Sequence, residues 1–329
     1  MSDSMRAIVM RAPGDADVLE MREAERPAPA DGELLVRVAS SGVNRADLMQ
    51  RMGRYPAPPG YPEDILGLEY AGTVEEIGGG VERFAPGDTV MGITGGGGYA
   101  DFVVVPAVTA VSAPAQLEMV RVGALPEVFM TAFDAAFVQE GLQPGETLLV
   151  HAVGSGVGTA ALQLGTRAGV TVIGTSRTAT KLERAKELGL EHAVLADENW
   201  PDSVLELTGR RGVDVILDLV GGPYLAGNQR VLAQRGRHIV VGVPGGLTAE
   251  IDLRALMGRR GSIRGTVLRA RPIEEKAALA RAFETDVLPG FTDGTLRPVI
   301  DTVFPAAQAP QAHRHMESNR NFGKILLEW

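Results

Sequence analysis

Apolar positions along the chain fall into two regimes. Over the first hundred residues they come as short runs, at 5–10, 19–21, 33–38, 70–77, 89–93 and 99–105, separated by Pro27, Pro29, Asp31-Gly32, Gly78-Gly79-Gly80 and Pro86-Gly87-Asp88. Short runs punctuated in this way predict antiparallel strands of a partly open β-barrel. Near Leu125 the pattern becomes an alternation of strands and helices. The apolar run at 148–150 predicts a buried strand, the good helix formers over 159–168 ending at Gly169 predict a helix, and 170–173 reads as a second strand. The alternation continues with helices at 181–188, 201–208 and 225–232, and with strands at 193–195, 213–219, 238–243 and 262–268. Repeated crossovers build a doubly wound parallel sheet whose ligand lies at the carboxyl ends of its strands. A helix at 274–287 leads back out, and the strand-like VIDTVF (299–304) and KILLEW (324–329) segments return to the first domain.

Composition narrows the class. At 329 residues the chain has room for two domains with their own cores, and 45% hydrophobic residues suit a globular protein. No apolar run reaches bilayer-spanning length, and no leader-like segment opens the chain, so a cytoplasmic enzyme is the expectation. The sequence contains no cysteine, which removes disulfides, thiolate nucleophiles and cysteine-bound metal. A formal net charge of -9 argues against general nucleic-acid binding, which needs a cationic surface.

The candidate chemistry lies between the strand at 148–150 and the helix at 159–168. The loop Gly154-Ser155-Gly156-Val157-Gly158 departs from a strict G-x-G-x-x-G, since Thr159 stands where the last glycine would fall. It nevertheless sits between strand and helix in a unit of about thirty residues, where a dinucleotide pyrophosphate is bound by backbone amides at a helix N-terminus. The end of the next strand reads Gly174-Thr175-Ser176-Arg177, with Lys181 close behind. An NAD site usually places a carboxylate there for the ribose 2'-hydroxyl. Here Ser176 and the cations of Arg177 and Lys181 suit a 2'-phosphate, so NADPH is expected.

Five segments then carry a family likeness: GVNRADLMQR (42–51), LPEVFMTAF (125–133), HAVGSGVGTAALQL (151–164), ILDLVGG (216–222) and NFGKILLE (321–328). In the same order and nearly end to end, they resemble the zinc-free quinone oxidoreductases of the medium-chain dehydrogenase/reductase superfamily, in particular the subfamily of the tumour-suppressor-inducible quinone oxidoreductase. The resemblance implies a GroES-like catalytic domain over 1–126 and 271–329, a Rossmann NADP-binding domain over 127–270, and reduction of quinones or activated alkenes by NADPH. Zinc enzymes of the superfamily carry a cysteine where this chain has Val43 or Asn44, and a histidine where it reads Gly67-Leu68-Glu69. Glu69 alone is too few ligands for a catalytic zinc. His313 and His315, two apart on a C-terminal helix, do not share a face and read as surface residues.

By the same resemblance, Asn44 and Tyr55 lie beside nicotinamide and substrate, and Thr131 lies against the nicotinamide side of the cofactor. Ser155, Gly156, Val157 and Gly158 hold the pyrophosphate, and Ser176, Arg177 and Lys181 the 2'-phosphate. Gly242, Val243, Leu268, Phe322 and Lys324 complete the cleft. Where related enzymes place a tyrosine near the adenine ribose phosphate, this chain has Ala196, which leaves more of the recognition to Arg177 and Lys181. Without zinc, an electron-poor acceptor needs only positioning and a hydrogen-bond donor, and the proton can come from solvent. An enoyl-thioester reductase, and an NADPH-binding crystallin-like or RNA-binding protein, are the alternatives. The arginines at 254, 259, 260, 264, 269 and 271 read as surface or interface groups beside an edge strand at 262–268 that pairs with its twin in a homodimer.

Overall fold

The strand-loop-helix-strand unit around the glycine loop is present in the computed structural model, which describes residues 4–329. Strand Thr147–Val150 is buried at every position, helix Gly156–Arg167 follows, and strand Thr171–Ser176 lies parallel beside the first. Ser155 caps the helix, its hydroxyl oxygen accepting from Gly158 N at 3.0 Å, which satisfies one of the N–H groups left open at a helix start. At the other end Gly169 takes a φ of +69°, a left-handed conformation that favours glycine and ends the helix.

The chain divides into two units, one formed by the residues up to Met130 with Leu268–Trp329, the other by Thr131–Val267. The second unit is built on a six-stranded parallel sheet. Its order is His192–Leu195, Thr171–Ser176, Thr147–Val150, Val213–Asp218, Leu232–Val240 and Ser262–Gly265. Numbered by sequence within the unit this is 3-2-1-4-5-6, the Rossmann order, and its direction reverses between Thr147–Val150 and Val213–Asp218. Leu149, Ile173, Val194, Ile216 and Leu232 pack with Trp200 and Val204 against one face.

In the first unit, Glu33–Val43 is the central strand. It pairs antiparallel with Glu69–Ile77, with Phe102–Pro106 through its first half, and with Lys324–Glu328 through its second. One long strand serving three partners curls the sheet into a partly open barrel, the GroES-like arrangement. The hairpin of Ser4–Met10 and Leu19–Glu25 joins through bridges Ala7–Ala100 and Val9–Ile65. Among the described residues, no helix is long and apolar enough to cross a membrane.

Three readings of the sequence change. The strand expected at 262–268 is only Ser262–Gly265; the last bond to its neighbour is Thr266 N to Val240 O, and Leu268 is buried outside it. His313 is not a surface residue. On helix Ala309–Glu317 it shares the inward face with Ala309, Ala312 and Met316 and is fully buried. There it meets the Tyr99 hydroxyl at 3.3 Å and Arg51, whose guanidinium pairs with Glu317. Burial holds the His313 imidazole neutral, its pKa lowered to about 3. Arg269 also turns inward, its guanidinium bonding Gly95 O at 2.5 and 2.8 Å and Gln50 Oε1 at 2.5 Å. A carbonyl and an amide inside the first unit take its Nε and Nη2, while Nη1 is buried without a partner, in place of the surface position expected of the arginine cluster.

Candidate active site

In the second unit the predicted dinucleotide residues gather at the carboxyl ends of neighbouring strands. Ser155 to Gly158 follow Thr147–Val150, Ser176 ends Thr171–Ser176 with Arg177 next, and Gly242 and Val243 follow Leu232–Val240. Val241 N and Gly242 N both reach Asp218 O, at 2.9 and 3.3 Å, which ties the Gly242 turn to the end of the adjoining strand. Gly158 admits no side chain: a Cβ there would lie 2.5 Å from Ala152 O and 2.7 Å from Val153 Cα. Ala152, in the same loop, holds a left-handed φ of +50°, a strained conformation for alanine. The small residues thus bring backbone amides to the open start of a twelve-residue helix, and the donor set fits a dinucleotide pyrophosphate. Ser176 is buried, its Oγ accepting from Thr178 N at 3.3 Å, while Arg177 is exposed and Lys181 lies in the first turn of helix Ala179–Lys186. Ala196 N donates to Ser176 O, so the position lacking a tyrosine lies alongside this strand end.

Beneath the loop runs a buried polar chain that sequence reasoning missed. The His151 ring bonds Thr175 Oγ1 at 2.9 Å and Asn228 Oδ1 at 2.6 Å, and Asn228 Nδ2 donates to Asp218 Oδ2 at 3.1 Å. Asp218 also meets His238 Nε2 at 3.0 Å and accepts from Val220 N and Gly221 N. Burial alone would raise the Asp218 carboxyl, but these donors and His151 carry it below its ordinary value. Burial lowers the His151 pKa to about 4 and keeps the ring neutral. The ILDLVGG motif gave the only sequence signal, an aspartate inside an apolar strand.

In the first unit, Asn44, Glu69 and Lys324 converge. Lys324 Nζ lies 2.5 Å from Glu69 Oε1, 2.8 Å from Asn44 Oδ1 and 3.3 Å from Val43 O. Asn44 Nδ2 donates to Glu69 Oε1 at 2.8 Å, and Glu69 Oε2 accepts from Glu127 N at 2.8 Å. Glu69 is 0% and Lys324 3% exposed, so this is a buried ion pair with its remaining lone pairs satisfied. Gly42 makes room for it, since a Cβ there would lie 2.1 Å from Glu69 Oε1 and 2.6 Å from Lys324 Nζ. Asn44 precedes helix Arg45–Arg51 rather than sitting in a simple turn, and its backbone N donates to Asp47 Oδ2 at 2.7 Å. Burial pushes the Asp47 carboxyl up to about 6, against the pull of Asn44 N and Lys324.

Tyr55 is half-buried in the loop after that helix, with the Arg269 guanidinium 5.2 Å from its ring centre. Burial raises its phenol pKa, with Arg269 opposing and Glu127 adding. Thr131, on helix Pro126–Phe133, is buried with its Oγ1 lacking any hydrogen-bond partner. Phe322 is buried in the first unit, its N donating to Asp301 Oδ1 at 2.9 Å. Of the residues expected in the first unit, the structure brings Asn44 and Lys324 into direct contact; Tyr55 is linked to them through the charges of Arg269 and Glu127.

The donor set around Glu69 does not suit zinc. Val43 and Leu68 offer no ligating side chain, both Glu69 oxygens already accept from protein donors, and a lysine cation lies among them. Among the described residues, no three His, Asp or Glu side chains come together to hold a metal.

The buried pair makes a direct prediction. Replacing Lys324→Met leaves the Glu69 carboxylate buried with no counter-charge, a loss expected at about 3–5 kcal/mol. Urea unfolding should show it, and adding Glu69→Gln should recover part of the loss. A single-variant loss under ~1 kcal/mol would contradict the pairing.

Residues 156–284 match the zinc-binding dehydrogenase family model, and residues 30–115 match the alcohol dehydrogenase GroES-like domain. The chain is 33% identical to the quinone oxidoreductase of Rattus norvegicus, over 98% of this chain and 97% of that protein. Two solved structures share the fold along nearly all of both chains. An NAD-dependent alcohol dehydrogenase is 33% identical with a TM-score of 0.88, covering 99% of this chain and 100% of its own. Mycobacterial Rv1454c, complexed with NADPH, is 28% identical with a TM-score of 0.85 and the same coverage. With the 3-2-1-4-5-6 sheet and the barrel that binds Glu69 to Lys324, these likenesses identify the chain as an oxidoreductase of the medium-chain dehydrogenase/reductase superfamily, related to its quinone oxidoreductases.

Proposed function

We propose that this protein reduces quinones or activated alkenes with NADPH and without zinc. The observation that carries the reading is the Glu69 site, where the protein's own ammonium and amide groups meet both carboxylate oxygens. With no Lewis acid to stabilise an alkoxide, simple alcohols and ketones are poor partners, whereas a quinone or enone spreads the incoming charge over its own conjugated system.

A bound dihydronicotinamide supplies hydride. The chain supplies position. Asn44 is fixed in orientation because its Oδ1 accepts from Lys324 and its Nδ2 donates to Glu69 and to Gly42 O, so it acts as a rigid positioning residue. Tyr55 keeps its phenol proton at neutral pH and can donate it in a hydrogen bond to an acceptor oxygen. Thr131 Oγ1, buried and unpartnered, suits the carboxamide of the nicotinamide. Ser155 to Gly158 present backbone amides to the pyrophosphate. Gly242 and Val243, after the end of Leu232–Val240, line the same groove of the second unit.

The NADPH preference rests on the stretch from Gly174 to Lys181, which has no carboxylate to repel a 2'-phosphate, and on Ser176, Arg177 and Lys181 within it. The NADPH bound by the mycobacterial relative supports the same choice. Dimerisation is proposed through the open edge of Ser262–Gly265; the helix Leu253–Arg259 that leads into this strand leaves Leu253 and Met257 65% and 76% exposed.

Two experiments test this reading. NADPH oxidation with 1,4-benzoquinone, an enone and a crotonyl thioester should show turnover on the first two, with NADH slower. Arg177→Ala and Lys181→Ala should each weaken NADPH roughly tenfold or more while leaving NADH nearly unchanged. Turnover on the thioester alone would assign an enoyl reductase instead, and equal loss for both cofactors would remove the 2'-phosphate role. For the dimer, sedimentation should report two subunits, and Met257→Asp should shift the equilibrium toward monomer; an unaffected dimer would place the interface elsewhere.

A further inference from the structure

Three cations are buried among the described residues, and the fold does not treat them alike. Lys324 pairs with Glu69, and Arg51 pairs with Glu317. Arg269, only 4% exposed, pairs with no carboxylate. Its Nε and Nη2 donate to the neutral Gly95 O and Gln50 Oε1, and its Nη1 is buried with no acceptor. A guanidinium cannot answer burial by losing its proton, so the charge stays. The Tyr55 ring centre, 5.2 Å away, offsets part of its cost.

A second cation stands in the same cluster. Lys276, on helix Ile273–Asp286, is half-buried with its Nζ 5.8 Å from the Tyr61 ring centre, and among the described residues it makes no hydrogen bond or ion pair. Tyr61 packs on Gly95, the residue whose carbonyl holds Arg269: a Cβ on Gly95 would lie 2.3 Å from Tyr61 Cδ2. Two half-buried tyrosines and two cations therefore share one place in the first unit. Burial lowers the Lys276 pKa, with Glu127 opposing and the Arg269 charge adding. The acids nearby do not pair with either cation. Asp47 already accepts from Asn44 N, Gly67 N and the Tyr99 hydroxyl, and Glu127, raised to about 8, is mostly uncharged at neutral pH. Like charges gathered without an acid between them call for an anion from outside the chain.

We propose that Arg269 and Lys276 form an anion subsite beside Tyr55, so that the preferred acceptor carries a carboxylate next to its conjugated system. The assignment rests on the quinone or enone reductase reading above and names the substrate class of that site. Lys276, the more exposed of the two, makes the charge-assisted bond to the oxyanion, and buried Arg269 adds its charge where the dielectric is low. Tyr55 and Tyr61 offer aromatic faces to a flat conjugated body. A neutral acceptor leaves both cations unmatched, which is how a polar site rejects a ligand lacking the expected group.

The para-carboxylate of benzalacetone and its methyl ester share one enone and differ in charge. The acid should have a kcat/KM roughly tenfold or more above that of the ester, and the ratio should fall toward one in Lys276→Gln. Lys276→Glu should reverse it, favouring the para-trimethylammonium enone, an inversion that a merely structural loss would not produce. Calorimetry with the saturated ketone of the same acid, set against its ester, reads the subsite without turnover and should show the same preference, lost in Lys276→Gln. Phosphates of a thioester carrier are the other source of an oxyanion, so crotonyl-CoA is compared with crotonyl-N-acetylcysteamine; a charge preference confined to that pair would overturn the carboxylate seat. Acid and ester equal in both kcat/KM and Kd, or a preference that Lys276→Glu leaves in place, would overturn the subsite while the reductase reading stands. No reduction of any quinone or enone would instead overturn that reading, and the calorimetry would still decide the subsite.

Discussion

The Lys324 ammonium draws separate parts of the first unit to one point. It comes from the last strand, bonds Val43 O and Asn44 Oδ1 at the end of the central strand, and pairs with Glu69 at the start of the next. Through its second oxygen Glu69 then anchors the first turn of helix Pro126–Phe133. Buried charges are tolerated only when each is matched and hydrogen-bonded, so the position of any one of these elements constrains the others. Gly42 is small because the pair lies against it. The same constraint fixes Asn44 on both sides of its amide, which is what a positioning residue needs.

Electrostatics elsewhere in the protein follow one rule: groups that cannot find a counter-charge are kept neutral. His151 and His313 are buried without a proton to spare, each lowered well below the ordinary imidazole range. Asp218, by contrast, keeps its charge because two backbone amides, Asn228 and His238 surround it beneath the glycine loop. Glu127 follows the same rule: burial first and the Glu69 charge second outweigh Lys324 and raise its carboxyl to about 8.

Much of the second unit was legible in the sequence because parallel strands covered on both faces read as continuous apolar runs, and Ser155, Gly158 and Gly169 mark the start and stop of one helix. The first unit gave up its strands but not its polar interior. A glutamate after Gly67-Leu68 or a lysine in NFGKILLE looks like any strand polar residue, and only tertiary contact between positions 69 and 324 pairs them. His313 misled because spacing from His315 says nothing about burial. The signal was in its apolar neighbours Ala309, Ala312 and Met316, which lie on its own side of the helix. The arginine cluster misled in a similar way. Arg269 differs from the other arginines by the Gly95 carbonyl it finds, a contact across 174 positions of sequence that no local pattern reports.

If the protein's own cation does the organising work, the purified enzyme needs no metal. Elemental analysis of the protein, paired with its quinone reductase rate before and after dialysis against a strong chelator, tests this most directly. The account predicts zinc far below one atom per chain and an unchanged rate; stoichiometric zinc that leaves together with the activity would contradict it.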